Sequence, residues 1–262
     1  MSVTTSAWYV AEYRFRNMWK WKRAIIIYGL GGPFLYLASV GVGVGSLVDA
    51  NNPGGGIDGV SYLAFLAPAL LASAAIQGGQ DEVTFPVLAG FIWEKLFFAM
   101  HATSLTARQI ANGVLIASFM RTVFTSFAYW LVLFAFGAVT LQSAIVLIPA
   151  AAFAGIAFST FVMWIAARVE REDGFFAIFG RFVITPMFLF SGTFYPLQSL
   201  PMSVQWIGWI SPLWHATEMG RALSYGQGIA APGFWMHVAV LAAISITGLL
   251  LSYRQFERRL RA

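Results

Sequence analysis

Cysteine is absent from this sequence, and charged residues are scarce, at 10% of the chain. The lack of cysteine excludes disulfide bonds and thiolate metal sites, although it does not identify the cellular compartment. The lack of charge argues against a soluble protein, since soluble domains carry roughly a quarter charged residues. Instead, 59% of the residues are hydrophobic and the mean hydropathy is +0.72, which is typical of a protein with several membrane spans.

Sequence patterns of catalysis are absent as well. No Gly-x-x-x-x-Gly-Lys-Ser/Thr motif occurs, so the chain has no P-loop to hold nucleotide phosphates. No His-Glu-x-x-His motif occurs, and the histidines His101, His215 and His237 are far apart in sequence and expected on different sides of the membrane. We therefore expect neither catalytic residues nor a metal or cofactor in this chain.

What the sequence does contain is a series of long uncharged runs. A membrane-spanning helix needs about 20 apolar residues, so 262 residues accommodate six such helices with little left for a soluble domain. Thr106 and Gln109 have the spacing of a capping box, which marks the start of the third helix. The predicted fold is an all-α membrane protein with spans at 24–48, 60–84, 107–136, 144–166, 175–193 and 234–253.

Lysine and arginine are unevenly distributed along this order of helices. With the N-terminus inside the cell, nearly all of them fall at cytoplasmic edges, and only Arg221 falls on the outer side. The positive-inside rule then predicts two cytoplasmic termini and an outer loop over 49–59. Arg121 and Arg181 fall within spans, where each either extends toward the inner headgroups or forms an internal ion pair or substrate contact.

Residues 6–23 predict an amphipathic helix in the plane of the membrane surface. One face of this helix is apolar and aromatic, and it consists of Trp8, Ala11, Phe15, Met18 and Trp19. The opposite face is charged, and it consists of Glu12, Arg16, Lys20 and Arg23. A solvated basic tail is the alternative, but the apolar face keeps its helical register for about three turns.

The segment over 85–106 follows the second span on the predicted cytoplasmic side. It is long for a connection and mostly apolar, and its charged residues are Glu94 and Lys95. Apolar surface of this kind needs a protein or the membrane edge to cover it. The segment is either a docking helix for a partner protein or a continuation of the second helix followed by a turn at the membrane surface.

The segment over 194–223 precedes the last span on the predicted outer side. Pro201 and Pro212 divide it into two short helices, and it carries no charge before Glu218. Its tryptophans suit the interface between membrane and water, which predicts a shallow re-entrant hairpin. His215, Glu218 and Arg221 share one helical face, so a local ion-pair network is expected there rather than an active site.

The order of these segments resembles the membrane subunit of an ABC type-2 exporter, closest to the nodulation-factor exporter type. The resemblance covers essentially the whole chain and rests on three stretches in particular. These are "YLAFLAPALLASAA" with Pro68, the cytoplasmic "WEKLFFAMHATSLTARQIANG", and "FLFSGTFYPLQSLP" continuing into "WISPLWHATEMGRAL".

This resemblance implies export driven by ATP that a separate subunit hydrolyses. The implied partners are a cytoplasmic ABC ATPase, which would bind ATP and Mg, a second membrane subunit that is identical or related, and membrane lipids. The chain itself would be no enzyme and would lie in the plasma membrane of a prokaryote. The implied cargo is an amphipathic molecule, such as a lipid-linked sugar, a glycolipid or a hydrophobic drug.

Three groups of residues are predicted to carry this function. Coupling to the ATPase is assigned to Trp93, Glu94, Lys95, Leu96 and Phe97. The walls of a pathway between two subunits are assigned to Phe65, Phe188, Phe190, Phe194 and Tyr195. An outer gate is assigned to Gly192, Trp206, Trp209 and Trp214, with a static lid as the alternative.

Two other classes of protein stay open on the residues alone. A secondary transporter would place ionisable groups at mid-membrane and repeat its broken helices. A membrane-embedded lipid-modifying enzyme would need a polar cluster at one depth. A stoichiometric complex with a separate ATPase distinguishes both from an ABC exporter subunit.

Overall fold

The computed structural model describes residues 3–51, 56–171 and 173–261, and in these ranges the chain forms helices and no β-strand. The α-helices are α1 (Val3–Lys20), α2 (Lys22–Tyr36), α3 (Gly45–Asn51), α4 (Tyr62–Val83), α5 (Phe85–Leu88), α6 (Leu96–His101), α7 (Ala107–Ala135), α8 (Ala144–Arg168), α9 (Phe175–Phe179), α10 (Thr185–Phe190), α11 (Met202–Ile210), α12 (Pro212–Ser224) and α13 (Phe234–Arg261). The all-α prediction is confirmed.

Wider π-helical turns join several of these helices into longer rods. They lie at Leu37–Val44 between α2 and α3, at Ala89–Trp93 after α5, and at Gly180–Ile184 between α9 and α10. Such turns insert an extra residue into a helix and often mark functional positions.

Within the described ranges, five helices are long and apolar enough to cross a membrane. They cover Phe34–Asn51, Tyr62–Trp93, Ala107–Ala135, Leu141–Arg168 and Phe234–Arg261. The predicted span 175–193 corresponds to a shorter apolar helix, Phe175–Phe190. At 1.5 Å per residue that helix reaches about 24 Å, against a hydrocarbon core of about 30 Å.

The centre of the bundle is built on α4 and α8. Both pack against each other and against α12, and α4 also packs on α7 while α8 packs on α13. Glycine permits the closest approach of these helices. A Cβ at Gly79 of α4 would overlap the side chains of Ser159 and Thr122, and a Cβ at Gly155 of α8 would overlap Thr122 of α7. Small residues at helix contacts are the usual means of packing helices closely within membranes.

The bundle has two distinct ends. At one end, called the basic end here, the last turns of α4, α8 and α13 meet α1 and the start of α7. Arg108 pairs with Glu257 at 2.6 Å, and the Arg259 guanidinium donates to the carbonyls of Ala167 at 2.8 Å and Val169 at 2.7 Å. At the other end, called the hairpin end, α3 and the start of α4 meet α12 and the start of α13. Residues 52–55 of the predicted outer loop lie outside the described ranges.

The predicted amphipathic helix over 6–23 is present as α1, which ends at Lys20. Its aromatic side chains Trp8, Phe15 and Trp19 are exposed, as an interfacial helix requires. Ala11 is different, because it is buried with Val10 where α1 packs on α7. The sequence pattern did not distinguish this protein-facing side from the aromatic side.

Candidate functional site

A cavity of about 810 Å³ lies at the basic end between α1, α2, α4 and α7. It extends from Trp93 and Glu94 at its outer edge to Ala74 and Tyr129 near the middle of the bundle. Its walls are mainly apolar and aromatic, with a group of charged side chains from α1, α4 and α7. We call it the basic-end cavity.

A second cavity of about 390 Å³ continues toward the hairpin end, between α2, α4 and α10. Ala74, Gln77 and Tyr129 line both cavities, so the two meet at these side chains. The second cavity reaches Phe188 and Leu213, close to the entry of the hairpin. Together, the two cavities follow α4 along most of its length.

The charged side chains of the basic-end cavity form two ion pairs. Arg14 and Glu82 pair at 2.6 Å, and Arg14 also donates to the Glu82 backbone carbonyl at 2.7 Å. Arg121 pairs more loosely with Asp81 at 3.3 Å, and the Gln77 amide donates to the same carboxylate at 2.8 Å. A buried charge is strongly unfavourable without a partner, so both arginines are held by carboxylates of α4.

The two arginines predicted within spans have different surroundings. Arg121 forms the internal ion pair with Asp81 and lines the cavity, which resolves the question that the sequence left open. Arg181 is exposed on the π-helical turn between α9 and α10.

The segment over 85–106 begins as a continuation of α4. The helix bends at Thr84, continues through α5 to Trp93, and ends where Lys95 adopts a left-handed conformation with φ of 53°. Helix α6 then runs back toward α7. Of the two interpretations of this segment, continuation followed by a turn describes its conformation, and docking of a partner stays a prediction.

The predicted coupling residues separate into two groups. Trp93, Glu94 and Lys95 are exposed, and Leu96 is half-buried. Phe97, in contrast, is buried between the rings of Phe91 and Phe256, with centroids at 4.9 and 5.5 Å. The expected apolar contact of Phe97 with a partner is therefore corrected, because this ring belongs to the core of its own chain.

The predicted pathway residues also separate. Phe188 lines the second cavity and packs edge-on against Phe194 at 5.2 Å. Phe190 and Tyr195 are half-buried, and the Tyr195 hydroxyl donates to the Leu189 carbonyl at 2.9 Å. Phe65 is completely buried within the chain, so its assignment to a wall between two subunits is corrected.

The segment over 194–223 folds as the two short helices that its prolines predicted, α11 and α12. Arg221 fastens it to the bundle: the guanidinium donates to the Gly192 carbonyl at 2.7 Å, pairs with Glu218 at 2.9 Å and lies 3.8 Å from the Phe65 ring centroid. Gly192 has a φ of 69°, which a residue with a side chain adopts only with strain. Of the predicted network of His215, Glu218 and Arg221, the pair of Glu218 and Arg221 is formed, whereas His215 contacts His237 and the Trp209 carbonyl instead.

The tryptophans assigned to the outer gate have different environments. Trp206 and Trp209 are exposed, as residues at a membrane interface would be. Trp214 is half-buried, and its ring packs edge-on against both His215 and His237.

A histidine pair joins the hairpin to the last span. His215 and His237 approach through their Nδ1 atoms at 2.8 Å, and His215 Nε2 lies 2.9 Å from the Trp209 carbonyl. That carbonyl only accepts, so His215 carries its proton on Nε2 and its Nδ1 accepts from His237 Nδ1–H. Burial lowers the pKa of His215, which keeps its ring neutral.

The expectation that the histidines lie apart was wrong for this pair. Sequence spacing gave no signal, although the predicted topology places the hairpin and the start of the last span at the same end. Across residues 3–51, 56–171 and 173–261, no group of three or more His, Cys, Asp or Glu side chains is arranged to hold a metal ion.

Apolar helices of membrane-spanning length define this chain as a helical membrane protein. The family model described as ABC-2 type transporter matches residues 5–225, and the chain belongs to that family. The resemblance inferred from the sequence is thereby confirmed. Members of this family are transport subunits that generally lack an ATPase site and work with an ATPase subunit, so the chain is the membrane subunit, or permease, of an ABC exporter.

Curated relatives agree with this assignment over nearly their full length. Nodulation protein J of Rhizobium leguminosarum bv. viciae is 29% identical over 248 residues, which are 94% of this chain and 92% of the relative. Nodulation protein J of Rhizobium meliloti (strain 1021) is 27% identical over an alignment of 263 positions, which covers 99% of this chain and 97% of the relative.

Proposed function

We propose that this permease moves an amphipathic molecule out of the cytoplasm or the inner leaflet, using ATP that a separate ABC ATPase binds with Mg and hydrolyses. The cargo classes are a lipid-linked sugar, a glycolipid or a hydrophobic drug. The observation that carries the proposal is the pair of cavities meeting at Gln77 and Tyr129. Their apolar walls suit a hydrophobic body, and their charged and amide groups suit a polar one.

The basic end faces the cytoplasm in this proposal, with both termini on that side of a prokaryotic plasma membrane. The support is the concentration of arginine at this end, including Arg108, Arg258 and Arg259, together with the positive-inside rule. A second membrane subunit, identical or related, would face the cavity side of the bundle and complete the pathway.

Coupling to the ATPase is proposed at the exposed turn after the long helix. Lys95 would make this contact, because it is exposed and does not line the basic-end cavity, whereas the predicted coupling residues Trp93, Glu94 and Leu96 line that cavity. Because Phe97 packs against Phe256, a displacement of this turn by the ATPase would be transmitted directly to α13.

The outer gate is proposed to be the hairpin, which hinges at Gly192 and is held at the interface by Trp206, Trp209 and Trp214. Its support is that Arg221 and the Tyr62 hydroxyl hold the entry through the carbonyls of Gly192 and Phe194, while α12 itself is packed in the core. The alternative of a static lid predicts that locking the hairpin leaves export unchanged.

The test is to co-express the chain with candidate ATPases from its own genome, purify the complex and reconstitute it in vesicles. We expect a stoichiometric complex whose ATPase rate rises with a transported drug, glycolipid or lipid. A chain that transports cargo without any ATPase would instead be a secondary transporter, and chemical conversion of a lipid would indicate an enzyme.

A further inference from the structure

We propose that the basic-end cavity binds amphipathic organic cations, that is, molecules with a positively charged nitrogen or phosphonium centre on an apolar body. This inference rests on the proposed exporter function, because it names the chemical class of the cargo. It follows from three features of the cavity: which charges are accessible, which rings surround them, and how large the space is.

The first feature is the unequal accessibility of opposite charges. The lining residues include two arginines, Arg14 and Arg121, and three acids, Asp81, Glu82 and Glu94. Arg14 and Glu82 are both buried, and the charge of each is neutralised by its ion pair with the other. In the second pair, the Asp81 side chain is 44% exposed whereas Arg121 is 18% exposed.

Glu94 strengthens this imbalance. It is exposed at the outer edge of the cavity, on the turn that follows Trp93. A molecule entering from this edge therefore meets two accessible carboxylates, while the guanidinium groups lie behind them. An anionic headgroup would be repelled at the same positions, because like charges are unfavourable wherever screening by water is incomplete.

The second feature is the ring of aromatic side chains. Tyr13, Trp21 and Trp93 line the cavity and are exposed, and Tyr129 closes its inner end. The faces of tryptophan and tyrosine attract cations, and sites for quaternary ammonium groups combine such faces with a carboxylate. Trp93 and Glu94 provide both kinds of group at adjacent positions of the chain.

The third feature is size. A volume of about 810 Å³ lies within the range of cavities that hold drug-sized molecules. Small apolar residues, among them Ala24, Ala74 and Ala89, leave room for a hydrophobic body beside the aromatic rings.

The test uses two ions of matched shape and opposite charge, tetraphenylphosphonium and tetraphenylborate. Their binding to the purified full-length chain in detergent is measured by tryptophan fluorescence and by equilibrium dialysis against empty micelles. We expect tetraphenylphosphonium to bind on the order of tenfold more tightly than tetraphenylborate.

Substitutions then locate the site. Glu94→Gln lies on an exposed turn and Asp81→Asn in the second ion pair, and each should weaken tetraphenylphosphonium binding by roughly three- to tenfold. Asp81→Asn should also strengthen tetraphenylborate binding, because it releases Arg121. Glu12→Gln is the matched control, since Glu12 is a carboxylate on α1 that pairs with Arg16 and does not line the cavity.

Aromatic substitutions give an independent check that does not change the charge. Trp93→Leu should weaken tetraphenylphosphonium binding, whereas Trp235→Leu, an exposed tryptophan on α13, should leave it unchanged. Equal binding of the two ions, or the same loss in Glu12→Gln as in Glu94→Gln, would overturn the proposal.

The outcome is separable from that of the proposed function. If the chain forms an active complex with its ATPase but shows no preference for the cation, this inference alone is rejected. If the chain prefers the cation but associates with no ATPase, the exporter proposal is rejected and the cation site stands as a property of the chain.

Discussion

The two ends of this permease are fastened in different ways. At the basic end, the segment after α4 is held by rings: Phe91, Phe97 and Phe256 pack together, and the Arg259 guanidinium lies 4.5 Å from the Phe91 ring centroid. At the hairpin end, α12 packs into the apolar core through Leu213, Ala216 and Met219, and hydrogen bonds converge on the entry of the hairpin.

The polar contacts of the hairpin end are few and specific. Arg221 reaches the Gly192 carbonyl, the Ser191 and Ser211 hydroxyls lie 2.6 Å apart, and His215 meets His237. Ring packing loses energy steeply with any displacement, whereas a hydrogen bond can be exchanged for another partner at small net change. The comparison therefore favours a rigid turn at the basic end and, at the hairpin end, a releasable entry beside an α12 that stays packed in the core.

The largest expected effect tests the ring packing at the basic end. Replacing Phe97 by alanine removes a buried ring and leaves a cavity, which should reduce the free energy of unfolding by about 3–5 kcal/mol. Phe182→Ala is the control, because its ring is 75% exposed, and it should change stability by less than about 1 kcal/mol. Thermal unfolding in detergent measures both, and similar losses in the two variants would contradict a ring-packed basic end.

The next effect concerns the anchor of the hairpin. Arg221→Met removes two charge-assisted hydrogen bonds while keeping much of the contact with Phe65, and it should destabilise the hairpin by roughly 2–3 kcal/mol. The expected readout is faster proteolysis between α10 and α12 with the remaining bundle intact. Arg181→Met, at an exposed arginine, serves as the control. Unfolding of the whole chain at once would show that the hairpin is no separate unit.

A smaller effect is expected from the histidine pair. His237→Phe removes one neutral hydrogen bond, so it should reduce hairpin stability by about 1 kcal/mol. His101→Gln, at the opposite end, should leave the hairpin unchanged.

The histidine pair also predicts a dependence on pH. Because the pKa of His215 is lowered in the folded protein, the unfolded chain binds more protons than the folded chain as pH falls through the ordinary histidine pKa of about 6.5. Hairpin stability should therefore be fully present above that pH and decrease as the solution becomes more acidic. Protease resistance of the hairpin measured between pH 8 and pH 5 checks this, and an equal slope in His215→Gln would assign the effect to other groups.

Local sequence signals predicted the elements of this fold well. The capping box at Thr106 and Gln109 is formed in both directions, with Thr106 Oγ1 accepting from the Gln109 amide and Gln109 Oε1 accepting from the Thr106 amide. Prolines 201 and 212 divide the hairpin as expected. These features depend on neighbours a few residues away, so the sequence displays them directly.

The candidate site was less predictable because its contacts join distant parts of the chain. From the sequence alone, Phe97 cannot be distinguished from a residue that docks a partner, because only the fold packs Phe256 against it. In the same way, Phe65 cannot be distinguished from a pathway residue, because only the fold places Arg221 over its ring. Of the cavity residues, Arg121 gave only an unresolved choice between the inner headgroups and an internal ion pair or substrate contact. Helix packing, which no local pattern encodes, decides all of these positions.

The smallest expected effect concerns Lys95 at the basic end. It separates the backbone conformation of this residue from the charge of its side chain. Lys95 adopts a left-handed conformation, which is strained by about 1 kcal/mol for a residue with a side chain. Lys95→Gly should relieve this strain and raise stability by up to about 1 kcal/mol, whereas Lys95→Ala should not. Both variants remove the same charge, so both should weaken association with the ATPase to a similar extent if Lys95 contributes to docking. Pull-down of the ATPase beside thermal unfolding distinguishes these roles: if association follows stability rather than charge, Lys95 shapes the turn and makes no contact with the partner.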